Sequence, residues 1–144
     1  MAAQVVTCFL LRPTPQGDRV LLLRRSQQVG TYRGRWAGVS GYLEADPLEQ
    51  AYREIGEETG LERGDVHLLG RGEPLEVTDP EAGIEWIVYP FLFEVLAPER
   101  LRLDWEHQEA RWVPPEEVPS YETVPSLAEA LARVYPPREK GEVK

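Results

Sequence analysis

The sequence predicts an α+β fold or an α/β/α sandwich, in which β-strands are flanked by two helices. Short β-branched and apolar runs are separated by turn-forming residues, and two other segments have the apolar period of helices. The 144 residues, 42% of them hydrophobic, suffice for one core that buries roughly 70% of the surface of the unfolded chain. We expect one domain over residues 1–135 and a polar tail over residues 136–144.

The predicted strands are short apolar runs bounded by turn signals: Val5–Leu11, Val20–Leu23, Trp36–Leu43, Val66–Leu69, Ile84–Leu96 and Arg111–Val113. The stretch Pro13–Asp18 is rich in turn-forming residues, so it is expected to join the first two strands. Proline cannot donate a ladder hydrogen bond, so Pro90 indicates that its strand lies at an edge of the sheet or contains a bulge.

Two helices are predicted, over Asp46–Gly60 and over Ser126–Val134. In the first, Asp46 suits the N-cap, Pro47 suits the first helical position, and Glu49 is placed to complete a capping box. Gly60 suits the C-terminal cap. In the second helix, Ser126 is the predicted N-cap, so both helices have a defined start.

Composition and charge exclude several classes of partner. Acidic residues number 25 against 16 basic ones, so a net charge of −9 would repel a nucleic-acid backbone, and we expect no nucleic acid duplex as partner. The longest apolar run, Trp86–Phe93, is far shorter than the roughly 20 residues that span a bilayer, so no membrane association is expected. Cys8 is the one cysteine and cannot form an internal disulfide, and no secretory signal is evident, so a cytoplasmic protein is expected.

Three acids in the first helix point to metal chemistry. Glu54, Glu57 and Glu58 are spaced three and four residues apart, so their carboxylates share one side of the helix. Such like-charge pairs destabilise an isolated helix by roughly 0.2–0.5 kcal/mol each, and a bound cation would remove that cost. Oxygen ligands suit Mg²⁺ or Mn²⁺ and leave positions for water and phosphate oxygens. Charge alone leaves open a second interpretation, in which the three acids form a solvated helix face.

The arrangement Arg53-Glu-Ile-x-Glu-Glu-x-Gly-Leu61 resembles the second half of the signature of the Nudix hydrolases, and the chain looks MutT-like in this respect. The family pattern is Gly, five residues, Glu, seven residues, then Arg-Glu-aliphatic-x-Glu-Glu-x-Gly-aliphatic. Here the front is shortened by two residues, because eleven rather than thirteen residues separate Gly41 from Arg53. Ala45 stands where the pattern has its first Glu, and Glu44 or Asp46 is the expected substitute. The resemblance implies a Nudix-type α/β/α sandwich, an α+β fold with a mixed β-sheet flanked by helices.

The resemblance also implies roles for individual residues. Glu54, Glu57 and Glu58 would hold divalent cations together with the carbonyl of Gly41, and Arg53 would orient the carboxylates. The general base would be Glu54 or Glu57, a choice that the sequence leaves open.

A later segment, Glu106–Trp112, also resembles the family, whose members often carry a metal-binding Glu in such a segment. Glu106 would join the metal ligands there, although an exposed loop acid is nearly as good an interpretation. His107 is expected to be a loop or packing histidine. Glu109 is a second acid in the same segment, and composition alone does not show which of the two acids belongs to the metal site.

Substrate recognition is predicted around the segment before the helix. A guanidinium group matches phosphate geometry, so the candidate substrate-binding residues are Arg24, Arg25, Arg33, Arg35 and Trp36. Tyr32, Trp86 and Trp105 are further aromatics that could stack on a base or pterin, although each is more often a core residue.

The function that the resemblance implies is hydrolysis of the diphosphate bond of a nucleoside diphosphate linked to another group, by water attack at phosphorus with Mg²⁺ or Mn²⁺. Nucleoside triphosphates and related compounds are the first substrate class, and ADP-ribose-like compounds the second. The partner would then be a small-molecule nucleotide, with a homodimer left open. The alternative is a non-catalytic Nudix-like module that binds a nucleotide or a protein, and the shortened loop is its support.

Overall fold

The computed structural model describes residues 2–137, which form one mixed sheet of eight strands with two α-helices. The strands are β1 Ala3–Thr14, β2 Gly17–Arg25, β3 Trp36–Ala37, β4 Val39–Tyr42, β5 Val66–Arg71, β6 Leu75–Asp79, β7 Ile84–Val95 and β8 His107–Val113. The helices are α1 Pro47–Thr59 and α2 Leu127–Ala132. Most of the predicted tail, residues 138–144, lies outside the described residues.

The sheet is built around β1, which pairs in parallel with β7 and antiparallel with β2 and β4. Strands β5 and β6 pair with β7, and β3 and β8 pair with β2, all antiparallel. The parallel pairing of β1 with β7 makes the sheet mixed, as predicted. It also joins residues about 80 positions apart in the chain, for example Val5 and Val88.

Alternating side chains of β1 bury two hydrophobic clusters, one on each face of the sheet. Val6, Cys8 and Leu10 lie in the cluster that also contains Ala51 and Ile55 of α1. The intervening residues enter a second cluster, together with α2; from β1 these are Val5, Phe9 and Leu11, and from the helix Leu127, Ala130 and Leu131. Helices therefore cover both faces, which confirms the predicted α/β/α sandwich.

Helix α1 begins and ends where the sequence indicates. The carboxylate of Asp46 accepts a hydrogen bond from the backbone N of Glu49 at 3.2 Å, and Pro47 is the first helical residue. Gly60 ends the helix in the left-handed conformation, with φ of 76°, which costs glycine little. The side chain of Glu49 bonds to Arg63.

Several details of the fold differ from the sequence prediction. The strand predicted over Trp36–Leu43 is divided into β3, which pairs with β2, and β4, which pairs with β1. Strand β6 was not predicted, because it is short and its apolar signal is weak. Its five residues follow Pro74, and two of them, Leu75 and Val77, are apolar and buried. Pro90 lies in a central strand and not at an edge, where the neighbour of β7 changes from β6, which pairs up to Val88, to β5, which pairs from Phe91. The alternative, a bulge, has a counterpart nearby, because the register of β5 against β7 shifts between Leu68 and Gly70. Ser126 stands at the N-cap position of α2 but makes no capping hydrogen bond with its side chain.

Within residues 2–137, neither helix has the length and apolar character needed to cross a bilayer.

Candidate active site

A cavity of about 520 Å³ opens between α1, the sheet and α2. Its size is typical of sites for small molecules, which occupy roughly 300–1,000 Å³. One part of its lining, here called the acidic wall, consists of Glu44, Glu54, Glu57 and Glu106. The other part, here called the apolar wall, consists of Tyr32, Val77, Trp86, Val88, Leu127 and Ala130. The cavity therefore combines a charged surface with an apolar one.

Glu54 is held in one position on the acidic wall by its neighbours. The side-chain amide of Gln50, one turn earlier on α1, donates to Glu54 Oε2 at 2.8 Å. The other atom of that amide, Oε1, accepts from the backbone N of Glu44 at 2.9 Å, which ties α1 to the loop before it. The Glu54 carboxylate lies against Gly41, where any side chain would overlap it. Glycine at this position thus permits the contact between β4 and the carboxylate.

Glu58 is buried beneath this surface, with a side chain that is 1% exposed. Its Oε2 has no hydrogen-bond partner within the described part of the chain. Burial, followed by the neighbouring Glu54 and Glu106, raises its pKa to about 11. Burial also raises the pKa of Glu54, and that of the adjacent buried thiol of Cys8. A cluster whose acids resist ionisation in this way favours the arrival of a positive charge.

Glu106 reaches the same cluster from the loop before β8. Burial and the nearby Asp104 raise its pKa to about 7. The next residue, His107, is buried, with Nε2 3.7 Å from Glu58 Oε1 and Nδ1 3.3 Å from Asp104 Oδ1. Burial lowers the pKa of His107. Glu109 does not line the cavity, and its carboxylate pairs instead with Arg111 at 2.9 Å and with Arg24 at 3.7 Å. The strand thereby separates two acids that composition could not distinguish.

Arg53 lies beside the loop in front of the helix. Its guanidinium is 3.6 Å from Glu44 Oε1, and both side chains are largely exposed. Glu44, one of the two residues expected to replace the first Glu of the pattern, is therefore the acid that contacts Arg53, while Asp46 caps α1. Arg53 makes no ion pair with Glu54, Glu57 or Glu58 among the described residues.

Of the predicted substrate-binding residues, Arg25 lines the cavity, and burial lowers its pKa. The others do not line it. Each is engaged elsewhere: Arg24 with the carbonyl of Gly34, Arg33 with the carbonyl of Val29, Arg35 with the carbonyl of Thr123, and Trp36 in the hydrophobic core. For Trp36 the physical reason is that its ring packs edge-on against Tyr121, at 5.6 Å between centroids, and is covered by Arg111.

The donors of the acidic wall suit a hard divalent cation. Glu54, Glu57 and Glu106 line the cavity, and beneath it the buried Glu58 has an oxygen without a hydrogen-bond partner among residues 2–137. Across residues 2–137, no three Asp, Glu, His or Cys side chains already form a ready set of metal ligands. Mg²⁺ commonly uses one or two carboxylates, waters and substrate phosphates instead of a cage of protein ligands, so an open acidic wall fits it.

Sequence reasoning missed two features of the site. Gln50 was not singled out, although its spacing of four residues from Glu54 places both side chains on one helix face. The pairing of Tyr32 with Trp86, whose rings meet edge-on with centroids 6.0 Å apart, joins a loop to a distant strand and leaves no local signal.

Comparison with known proteins gives a consistent result. Residues 1–134 match the family model of the NUDIX domain. A Nudix hydrolase from M. smegmatis, RenU, is similar in structure, with 23% identity and a TM-score of 0.75, over 91% of this chain and 82% of that one.

Two further solved structures are similar in fold. An Ap4A hydrolase from C. elegans, solved as a binary complex, has 19% identity and a TM-score of 0.76, covering 92% of this chain and 94% of that one. The NUDIX domain of Shewanella oneidensis NrtR, solved with ADP ribose, has 16% identity and a TM-score of 0.71, covering 92% and 86%.

No curated protein sequence matches. The family model spans nearly the whole chain, and the similar solved structures agree with the fold. The chain therefore belongs to the Nudix hydrolase family.

Proposed function

We propose that this protein is a metal-dependent Nudix pyrophosphohydrolase that acts on a small nucleotide or nucleoside diphosphate derivative. The observation that carries the proposal is the acidic wall, where carboxylates line a cavity of substrate size. Beneath them lies the buried Glu58, one oxygen of which has no hydrogen-bond partner in the part of the chain that the structure describes. A protein that only binds a ligand has little reason to keep acids that repel one another. Nucleoside triphosphates and related compounds are the first substrate class, and ADP-ribose-like compounds the second.

Mg²⁺ or Mn²⁺ is the cofactor in this proposal. Glu54, Glu57, Glu58 and Glu106, with the carbonyl of Gly41, would hold it. When bound, such a cation neutralises phosphate oxygens and lowers the pKa of a water molecule. The carboxylate of Glu54 is oriented by its neighbours. Gln50 donates a hydrogen bond to it, and Gly41 leaves the space into which it fits.

The remaining groups act on the substrate and on the proton. Glu54 or Glu57 would accept the proton of the attacking water; Glu54 is partly buried and tethered, whereas Glu57 is exposed. Arg25 is the cation on the cavity lining; its Nε donates to the carbonyl of Thr31 at 2.9 Å and its Nη2 to the Thr31 hydroxyl at 3.3 Å, and the rest of the guanidinium would donate to phosphate oxygens. Arg53 would act indirectly, as a positioning residue, through its ion pair with Glu44.

The similar structures support a nucleotide substrate without choosing among nucleotides. One of those proteins is an Ap4A hydrolase, and another was solved with ADP ribose. We therefore extend the proposal to a small-molecule nucleotide substrate with no nucleic acid duplex and no membrane as partner. A cytoplasmic location agrees with the single, buried and free Cys8.

The test is a panel of compounds that share a diphosphate bond: nucleoside triphosphates, dinucleoside polyphosphates, ADP-ribose and NADH. Each is assayed for cleavage with Mg²⁺, with Mn²⁺ and with a chelator. Cleavage of at least one compound only when metal is present supports the proposal. Tight, metal-dependent binding of a nucleotide without cleavage would instead favour the alternative, a non-catalytic Nudix module.

A further inference from the structure

Strand β8 contains a β-bulge close to the acidic wall. Arg24 of β2 pairs with Glu109 of β8. The next residue of β2, Arg25, pairs with His107, so β8 has one extra residue, Gln108, at this point. In a regular strand His107 and Glu109 would lie on the same face of the sheet, because side chains alternate between faces. The extra residue places the two side chains on opposite faces.

The face on which His107 lies is the one covered by α1. Leu23, two residues before Arg25 on β2, belongs to the hydrophobic cluster that includes residues of α1. Alternation along β2 puts Arg25, and with it His107, on that same face. The side chain of His107 is 2% exposed there, and its Nε2 is 3.7 Å from Oε1 of Glu58. The bulge thus brings a buried histidine beside the buried acid of the candidate site.

Asp104 holds the loop before β8 from the other side of the imidazole. Its Oδ1 accepts a hydrogen bond from the backbone N of Glu106 at 3.1 Å and lies 3.3 Å from Nδ1 of His107. The backbone carbonyl of Glu106 accepts from the backbone N of Ser26 at 2.8 Å, which ties the loop to the end of β2. The imidazole therefore lies between two carboxyl groups, Asp104 and Glu58, in a loop with a fixed backbone.

The polar contacts of this cluster are incomplete. Among residues 2–137, two buried side-chain atoms have no hydrogen-bond partner, and they are Nδ1 of His107 and Oε2 of Glu58. Buried polar atoms are nearly always paired, so two unpaired atoms on neighbouring side chains indicate an arrangement that a further group completes. The acidic wall above them suits a cation. A cation held by Glu58 would give that carboxylate a defined orientation next to the imidazole.

Resting on the proposed function, we infer that His107 is a positioning residue that orients the carboxylate of Glu58 for metal binding, with Asp104 holding the imidazole in place. Ligands of a metal ion are themselves held by neighbouring polar groups, and loss of such a group weakens metal affinity by roughly 10- to 100-fold. His107 acts through Glu58 and does not touch the substrate. A histidine that only packs in the core would leave the orientation of Glu58 unchanged.

The first measurement follows the imidazole signals of the ¹⁵N-labelled protein by NMR while Mg²⁺ is added at one fixed pH. The chain has two histidines, and the other one, His67, is exposed on β5 and serves as the internal control. The signals are assigned from those that disappear in His67→Asn. We expect the His107 signals to shift saturably with Mg²⁺ and the His67 signals to stay in place. His107 signals that Mg²⁺ does not move, or that move no more than those of His67, would overturn the inference.

Two substitutions of His107 separate positioning from packing. The amide of glutamine reaches the place of Nε2, which faces Glu58, whereas the shorter asparagine reaches only the place of Nδ1. Affinity for Mn²⁺ alone is measured from the electron paramagnetic resonance signal of the free ion. His107→Asn should weaken this affinity by roughly 10- to 100-fold, and His107→Gln should retain most of it. His67→Asn is the matched control and should leave the affinity unchanged. Equal losses in the two variants of His107, or full affinity in His107→Asn, would overturn the inference.

A second position keeps the test decisive if neither variant of His107 folds. Asp104→Ala removes the carboxylate beside Nδ1, so it should weaken Mn²⁺ affinity and reduce the response of the His107 signals to Mg²⁺. Unchanged affinity and an unchanged response would overturn the inference.

These measurements use metal without substrate, so they are independent of cleavage. A wild-type protein that binds Mn²⁺ but cleaves no compound of the panel would refute the proposed function alone. A His107→Asn protein that binds Mn²⁺ as tightly as wild type would refute the role of His107 alone, and a wild-type protein that binds no Mn²⁺ would refute both.

Discussion

Replacing Glu58 by glutamine is expected to stabilise the metal-free protein at neutral pH. Burial raises the pKa of Glu58 to about 11 from an ordinary value of 4.5, so at pH 7 the folded protein holds this carboxyl in its neutral form. The unfolded chain ionises it, and pH 7 lies about 2.5 pH units above 4.5. At about 1.4 kcal/mol per unit, keeping the proton costs the folded state about 3 kcal/mol. Glutamine has nearly the same shape and no proton to keep, so it avoids that cost.

The raised pKa of Glu58 also fixes how the unfolding free energy changes with pH. The folded state binds a proton that the unfolded state has released, so the unfolding free energy of the wild-type protein falls as pH rises above about 4.5. Glu58→Gln does not titrate at this position. The difference in unfolding free energy between the two proteins should therefore be small at pH 5 and should widen by about 1.4 kcal/mol per pH unit toward pH 8.

Urea unfolding followed by tryptophan fluorescence, with a chelator present at pH 5, 6, 7 and 8, measures this difference. Glu109→Gln is the control, because Glu109 lies in exposed ion pairs, and it should change stability by less than about 0.5 kcal/mol at each pH. A difference that does not widen with pH, or a Glu58→Gln protein that is less stable than wild type, would refute the reasoning from burial. With Mg²⁺ present, the same variant should lose most turnover.

Three further outcomes are expected. Mg²⁺ or Mn²⁺ should be required for cleavage and should raise the melting temperature, because metal binding at a hundredfold excess over Kd stabilises the folded state by about 2.7 kcal/mol. Cleavage that survives exhaustive chelation would exclude metal dependence. Glu106→Gln should reduce metal affinity or kcat by roughly 10- to 100-fold and Glu109→Gln should do little, as measured from kcat and the metal concentration for half activity; a larger effect at Glu109 would show that the two roles are reversed. Gly41→Ala should displace the carboxylate of Glu54, because a methyl group would overlap it, and should lower turnover in assays of the purified protein; unchanged kinetics would show that Glu54 adapts freely.

Local patterns account for the parts of the fold that were predicted correctly. The caps of α1 at Asp46 and Gly60 depend on side-chain and backbone preferences within a few residues, and those preferences are visible in one stretch of sequence. Ser126 shows the limit of such reasoning. The residue type suits an N-cap, but its backbone adopts the left-handed conformation, and the hydroxyl does not cap the helix.

The sequence by itself determined the sandwich fold and the capped helix α1, because apolar periods and capping residues are local patterns. It also determined that three acids share one side of that helix, because helical spacing fixes which side chains are neighbours. The tertiary structure alone decided which other groups share their cavity. Arg25 lines it and Trp36 does not, and Trp86 joins it through the pairing of β7 with β1 and β6. The physical reason is that strand register and burial depend on contacts between residues tens of positions apart, which no local pattern encodes.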